Sequence, residues 1–213
     1  VVVTVTMLAA SCSSGDDGFT LSPVSVRAPS GVDRSPPVDA RQALVAAIGA
    51  TQSDYRYQTT VTVGDAITTE VVGSVAGGAR QSTITSDGRV VEYLQTGYSR
   101  WVMGPTDRWV ITRDDPDASP PLDALAGPAA VGVDLAAGGD LVVDATYPGE
   151  ALGVPGVDQV EVEVVISDGL VSNVRYEVPA GERTAEVVTV ISDVGGVGVI
   201  STPDFGGKLP ITR

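Results

Sequence analysis

The stretch Tyr55–Val63, YRYQTTVTV, followed by Gly64 and Asp65, decides how the chain is read. Tyr55, Tyr57, Thr59, Val61 and Val63 fall on one side, and Arg56, Gln58, Thr60 and Thr62 on the other. That period of two is the signature of a strand with one covered and one wetted face, and GD is a turn pair that sends the chain back along it. Working outward, AITTEVVGSVA, RQSTITS, RVVEYLQ, YSRWVM and RWVITR each end at Gly, Pro or Asp. This spacing predicts about six antiparallel strands before Asp114. After a break, DLVVDATY, DQVEVEVVIS, GLVSNVRYEVP and ERTAEVVTVIS predict about four more. In the second of these, Val160, Val162, Val164 and Ile166 oppose Gln159, Glu161 and Glu163.

Composition agrees with this reading. Alanine, valine and glycine dominate the 213 residues while aromatics make up 5%. A core drawn from such a chain is built of small and β-branched side chains, which suit sheets.

Two segments depart from the strand period. VDARQALVAAIGAT, 38–51, places Ala40, Ala43, Leu44, Ala47 and Ile48 at three- and four-residue steps behind a capping Asp39. It predicts a helix ending near Gly49 that needs a sheet to lie against. In the middle, the LDALAG and AAVGVDLAA segments are expected as short helices, interrupted at Gly127 and Pro128. The expected fold class is therefore α+β and β-rich, with one strongly curved antiparallel sheet wrapped around one or two helices. A two-sheet sandwich leaves those helices no inner face to occupy.

The chain's start has another character. VVVTVTMLAAS, 1–11, has the length of a signal-peptide apolar region and falls well short of the roughly 20 residues that span a bilayer. Ala9, Ala10 and Ser11 lead into Cys12, the only cysteine, in the manner of a lipobox, where small side chains precede the thiol that receives diacylglycerol. Residues 12–37 mix Ser, Gly, Asp and Pro without apolar period and read as a tether, leaving 38–213 as the folded domain.

Charge and ligand inventory narrow the chemistry. The 27 acidic residues outweigh 13 basic ones, for a net charge of −14, which repels phosphate backbones and makes nucleic acid an unsuitable partner. With no histidine and one cysteine, the usual zinc, haem and Ser-His-Asp chemistries lack their ligands or base. RDDPD, 113–117, lacks the glycine and distal glutamate of a calcium loop, and GGVG, 195–198, reads as turn glycines. No catalytic residue, metal or cofactor is expected.

The lipobox, the tether, the helix opening onto DYRYQTTVTV, the pair GYSRWVM and DRWVITR, and the closing VTVISDVGGVGVISTPDF together resemble the actinobacterial LppX/LprG-like lipoproteins, across most of residues 38–205. That resemblance implies a LolA-like half-barrel whose hollow holds the acyl chains of a lipid or glycolipid, a palmitate chain for example. It implies a protein on the extracytoplasmic face of the cell membrane, anchored through Cys12, that carries or presents lipids without catalysis. Tyr55, Tyr57, Tyr93, Trp101, Trp109 and Tyr176 are the candidate lipid-binding residues, since amphipathic rings suit such a lining. The alternative is an envelope interaction or scaffold protein with the sheet fully packed and a protein partner at its surface.

Overall fold

The computed structural model describes residues 39–97, 99–104, 108–112, 121–125, 127–128, 130–135, 140–203 and 211–212. Cys12, the tether and RDDPD lie outside the described residues.

Among the described residues, one α-helix, α1 (Ala40–Thr51), precedes eleven antiparallel strands: β1 (Asp54–Val63), β2 (Ala66–Ala76), β3 (Ala79–Ser86), β4 (Arg89–Thr96), β5 (Ser99–Met103), β6 (Trp109–Ile111), β7 (Ala130–Leu135), β8 (Leu141–Pro148), β9 (Gln159–Ser167), β10 (Leu170–Ala180) and β11 (Arg183–Ser192). A short β12 (Ile211–Thr212) adds to β6 in parallel. All belong to one open sheet in the order β12-β6-β5-β4-β3-β2-β1-β11-β10-β9-β8-β7. Two meanders, β1 to β6 and β7 to β11, are joined where β1 pairs with β11.

Local chemistry explains the hairpins. Gly77–Gly78, Asp87–Gly88 and Asp168–Gly169 each carry two successive positive φ angles, the type I′ geometry whose twist matches that of the flanking strands. β1 follows the expected alternation over its first half, with Tyr55 and Tyr57 buried against exposed Arg56 and Gln58, but residues 59–63 are all half-buried and the ladder with β2 slips between Val61 and Thr62. In β9, Val160, Val162, Val164 and Ile166 are buried, and Gln159, Glu161 and Glu163 are exposed.

α1 begins as expected, with the Asp39 carboxylate accepting the Gln42 N–H at 3.1 Å. It runs past Gly49 to Thr51, correcting the expected stop. Thr51 supplies the reason: fully buried, its hydroxyl donates to the Ala47 carbonyl at 2.7 Å and accepts the Val171 N–H at 3.0 Å. The β9–β10 ladder slips between Val171 and Asn173, so the helix end satisfies a strand amide beside a bulge.

The middle segment differs from the sequence reading. LDALAG holds only a 3-10 turn, Asp123–Leu125, and AAVGVDLAA contains β7, paired along its length with β8. Short apolar runs rich in Ala and Gly carry no decisive period, and here pairing to a neighbouring strand overrides helix propensity.

The core lies on the sheet face that carries α1, termed the helix face. Leu44 and Ile48 pack there with Tyr55, Leu122, Leu125, Val143, Tyr147, Val162, Val164 and Val174. The Tyr147 hydroxyl donates to the Leu125 carbonyl at 3.1 Å, so the 3-10 turn touches β8. Asp123 of the same turn is close enough to Tyr55 of β1 and Arg80 of β3 to act on them electrostatically. Six ladder steps separate β8 from β3, on the order of 29 Å if the sheet were flat. That one three-residue turn acts on both is consistent with a sheet that curves towards it.

Candidate functional site

Antiparallel register places residues abreast on one face, and it divides the helix face into two zones. Near the start of β1 and β10, α1 and the 3-10 turn cover the sheet completely. Towards the other end runs a row of Val174, Thr189, Thr59, Val71, Ile84 and Val91, one residue from each of six adjacent strands. Val174 and Thr189 are buried, whereas Thr59, Val71, Ile84 and Val91 are only half-buried. The Thr59 and Thr189 hydroxyls satisfy each other at 2.8 Å, so the row presents no unpaired hydroxyl there. Beyond it, Val61, Tyr176 and Val178 are also half-buried. The row ends in an open hollow of about 430 Å³ lined by Ile84, Ser86, Asp87, Arg89 and Val91.

Between the covered and uncovered zones stands the row Tyr57, Gly73, Ser82, Tyr93, Val102 and Val110. The Tyr57 ring lies over Gly73, where a Cβ would sit 2.3 Å from the ring carbon Cζ, and its hydroxyl hydrogen-bonds Ser82. Burial pushes the Tyr57 phenol up, and the Ser82 bond and Arg80 partly offset it. One row nearer the core, Tyr55 is 0% exposed. Burial raises its pKa further, with Asp123 and Tyr57 adding to the effect. The Leu122 carbonyl lies near enough to lower it slightly but outside hydrogen-bonding geometry, so the Tyr55 hydroxyl has no partner among the described residues. The Tyr55 and Tyr57 rings are 6.0 Å apart and tilted at 48°.

A smaller hollow opens beside Tyr57, bordered by Arg80, Tyr93, Leu94, Arg100 and Trp101 among others. It spans about 310 Å³ including its mouth, but its sheltered space is about 10 Å³, room for about one water. The covered zone is packed solid at this point.

The six aromatic candidates therefore separate. Tyr55 and Tyr57 are core residues, while Tyr93 and Tyr176 stand half-buried on the helix face. Trp101 pairs with Leu94, and Trp109 with Met103, on the opposite face by register. Trp101 is 6% exposed, and its indole N–H has no partner among the described residues. Three of the six, Tyr57, Tyr93 and Trp101, line the same small hollow, Tyr176 lines the wide one over β7 to β10, and Tyr55 and Trp109 line neither. Ile84, Val91, Arg80 and Arg100, which the sequence reading passed over, lie where the hollows open. Their signal was present in the alternation of RQSTITS and RVVEYLQ, which turns Arg80, Ser82 and Ile84 to one side.

A wide hollow of about 960 Å³ lies over β7 to β10, lined by residues of both registers, among them Val160, Val162 and the candidate Tyr176 as well as Glu161, Glu163 and Arg175. Arg175 is paired with Glu186. Among the described residues no three acidic or thiol groups converge as metal ligands, and no helix is long and apolar enough to cross a membrane.

Comparison with protein-family models and with curated proteins finds no match to this sequence.

Proposed function

We propose that this chain is a lipid-anchored, extracytoplasmic cell-envelope protein with a LolA-like half-barrel, and that it carries or presents lipids by binding acyl chains non-covalently. The observation that carries the reading is the uncovered row on the helix face, where β-branched side chains abreast on adjacent strands lead to the 430 Å³ hollow at Ile84 and Val91. That volume falls within the roughly 300–1,000 Å³ of small-molecule sites. The site is an open trough, unlike the enclosed cavity that the resemblance implies. Each methylene taken from water contributes about 0.8 kcal/mol. Ten of them would give about 8 kcal/mol against an association cost of roughly 4–15 kcal/mol, so binding would be weak and reversible, as a carrier needs.

Native mass spectrometry of protein made in a lipid-bearing host tests this directly. Co-purified lipid is expected, and its loss in Ile84→Asp/Val91→Asp. Protein that arrives without lipid and does not bind a fluorescent fatty acid would refute the carrier role. Anchoring is tested separately, by fatty-acid labelling that Cys12→Ala should abolish.

A second reading, a non-enzymatic interaction or scaffold protein of the envelope, is favoured by the solid packing around Tyr57, where about 10 Å³ is sheltered. It predicts that the Ile84/Val91 variant keeps every function of the wild type.

A further inference from the structure

The two edges of the sheet end differently. At one, β6 is extended by β12, the chain's own last strand. At the other, β7 pairs with β8 alone among the described residues, so its outward backbone N–H and C=O groups form an open row. The ladder it makes with β8 runs without a slip from Ala130↔Thr146 to Leu135↔Leu141. Edge strands are commonly blunted by lysine, proline or a bulge; AVGVDL, 130–135, has none of these, and its one charge, Asp134, is negative. Such an edge is a template for another strand.

Charge says which strand. Gly132, Asp144 and Glu163 stand abreast on β7, β8 and β9, and all three are exposed, on the side turned away from the helix. They border the wide hollow, whose one cation, Arg175, is already paired with Glu186. A Cβ on Gly132 would meet nothing closer than the Asp144 carbonyl oxygen at 3.8 Å, so the way across β7 to Asp144 is open. A strand added to β7 would lie two ladder steps from β8, roughly 10 Å, a span that an arginine and an aspartate side chain close between them over the glycine. A second copy fits this edge poorly, because two chains of net charge −14 would bring the same carboxylates to one junction.

We infer that the open edge of β7 receives an extended segment of a partner protein as an added strand, with an arginine or lysine facing Gly132 and paired to Asp144. Main-chain bonds to β7 supply the affinity, and the cation selects the partner. The segment alternates, its basic residue turned outward and apolar or β-branched residues on either side of it. This goes beyond the acyl-chain reading and does not depend on it, since the Ile84–Val91 hollow lies on β3 and β4, away from this edge.

The test is fluorescence anisotropy of the full chain with labelled acetyl-Thr-Val-Arg-Val-Thr-Val-amide and with the same peptide carrying glutamate in place of arginine. The arginine peptide is expected to bind about ten-fold more tightly. A strand at an edge bonds through one side only, so N-methylation of one alternate set of peptide amides should abolish binding and N-methylation of the other set should leave it. Asp144→Asn should remove most of the preference for arginine. Gly132→Thr, which fills the passage with a side chain that suits a strand, should do the same. Asp168→Asn, which removes an exposed charge elsewhere, should retain the preference. Equal binding of the two peptides by the wild type, or no binding of the arginine peptide, overturns the assignment. Loss of binding with both methylated sets, or with neither, overturns strand addition at the edge. A wild-type dimer that the arginine peptide dissociates overturns it in favour of a second copy as the occupant. The wild-type measurements are decisive even if a variant does not fold.

Discussion

The Thr51 hydroxyl accepts the backbone N–H of Val171 at 3.0 Å, joining the end of the helix to a strand 120 residues further on. Both residues are buried, so this one oxygen fixes the helix against β10 at the point where the ladder slips. Thr51→Val keeps the shape and removes the acceptor. It should destabilise the fold by about 1–3 kcal/mol, the cost of an unsatisfied buried amide, while Thr51→Ser should recover most of the loss. Urea unfolding of the three proteins measures it.

Gly73 leaves the space that the Tyr57 ring fills. Gly73→Ala places a methyl group 2.3 Å from that ring, so one of the two must move within a packed face. A loss of about 1–3 kcal/mol is expected. In a Tyr57→Leu background the same change should cost much less. A double-mutant cycle reads the difference, and additive losses would show that the ring and the glycine are not coupled.

Alkaline pH should unfold the protein through its tyrosines. Burial pushes the Tyr147 phenol from 10.0 up to about 12, partly opposed by Arg41, and burial also raises Tyr55, Tyr57 and Tyr176. Between those values the unfolded chain releases the Tyr147 proton and the folded chain keeps it, so stability is full below pH 10 and falls as pH rises towards 12. Phenolate absorbance should rise together with loss of structure, and Tyr147→Phe should flatten the fall in stability. Phenolate appearing near its ordinary pH in folded protein would contradict this.

Asp54 and Arg56 both hold the segment after β11, with unequal effect. The Asp54 carboxylate accepts the Val197 N–H at 2.9 Å, and its carbonyl accepts the Gly195 N–H at 2.9 Å. Arg56 and Asp193 make an ion pair at 3.0 Å with both side chains well exposed. Asp54→Ala should therefore speed proteolysis around residues 193–203 and cost about 1–2 kcal/mol, whereas Arg56→Ala should stay within about 0.5 kcal/mol. Limited proteolysis with mass mapping separates the two.

Much of this architecture was legible in the chain. The alternation in YRYQTTVTV and DQVEVEVVIS states which side of β1 and β9 is buried, because a period of two has only one way to bury its apolar set. The α1 start was marked by Asp39, but its end was not, since the partner of Thr51 is the amide of Val171 far along the chain. β7 was hidden because Ala, Gly and Val in succession carry no decisive period, and only β8 beside it gives them one. The candidate site was the least legible. Aromatic identity pointed to Trp101 and Trp109, but which face a strand turns towards the helix depends on register summed across β1 to β5. Only that sum puts Arg80, Gln95 and Arg100 abreast.

The junction of β1 with β11 has a consequence for how the chain acquires its shape. Thr59 and Thr189 meet across 130 residues, so the first meander has no completed core until the last long strand has emerged. Closing so large a loop before its contacts contribute makes folding slow and late. A newly made chain of this design would hold its first meander unfinished until β11 has been synthesised, and would mature only then.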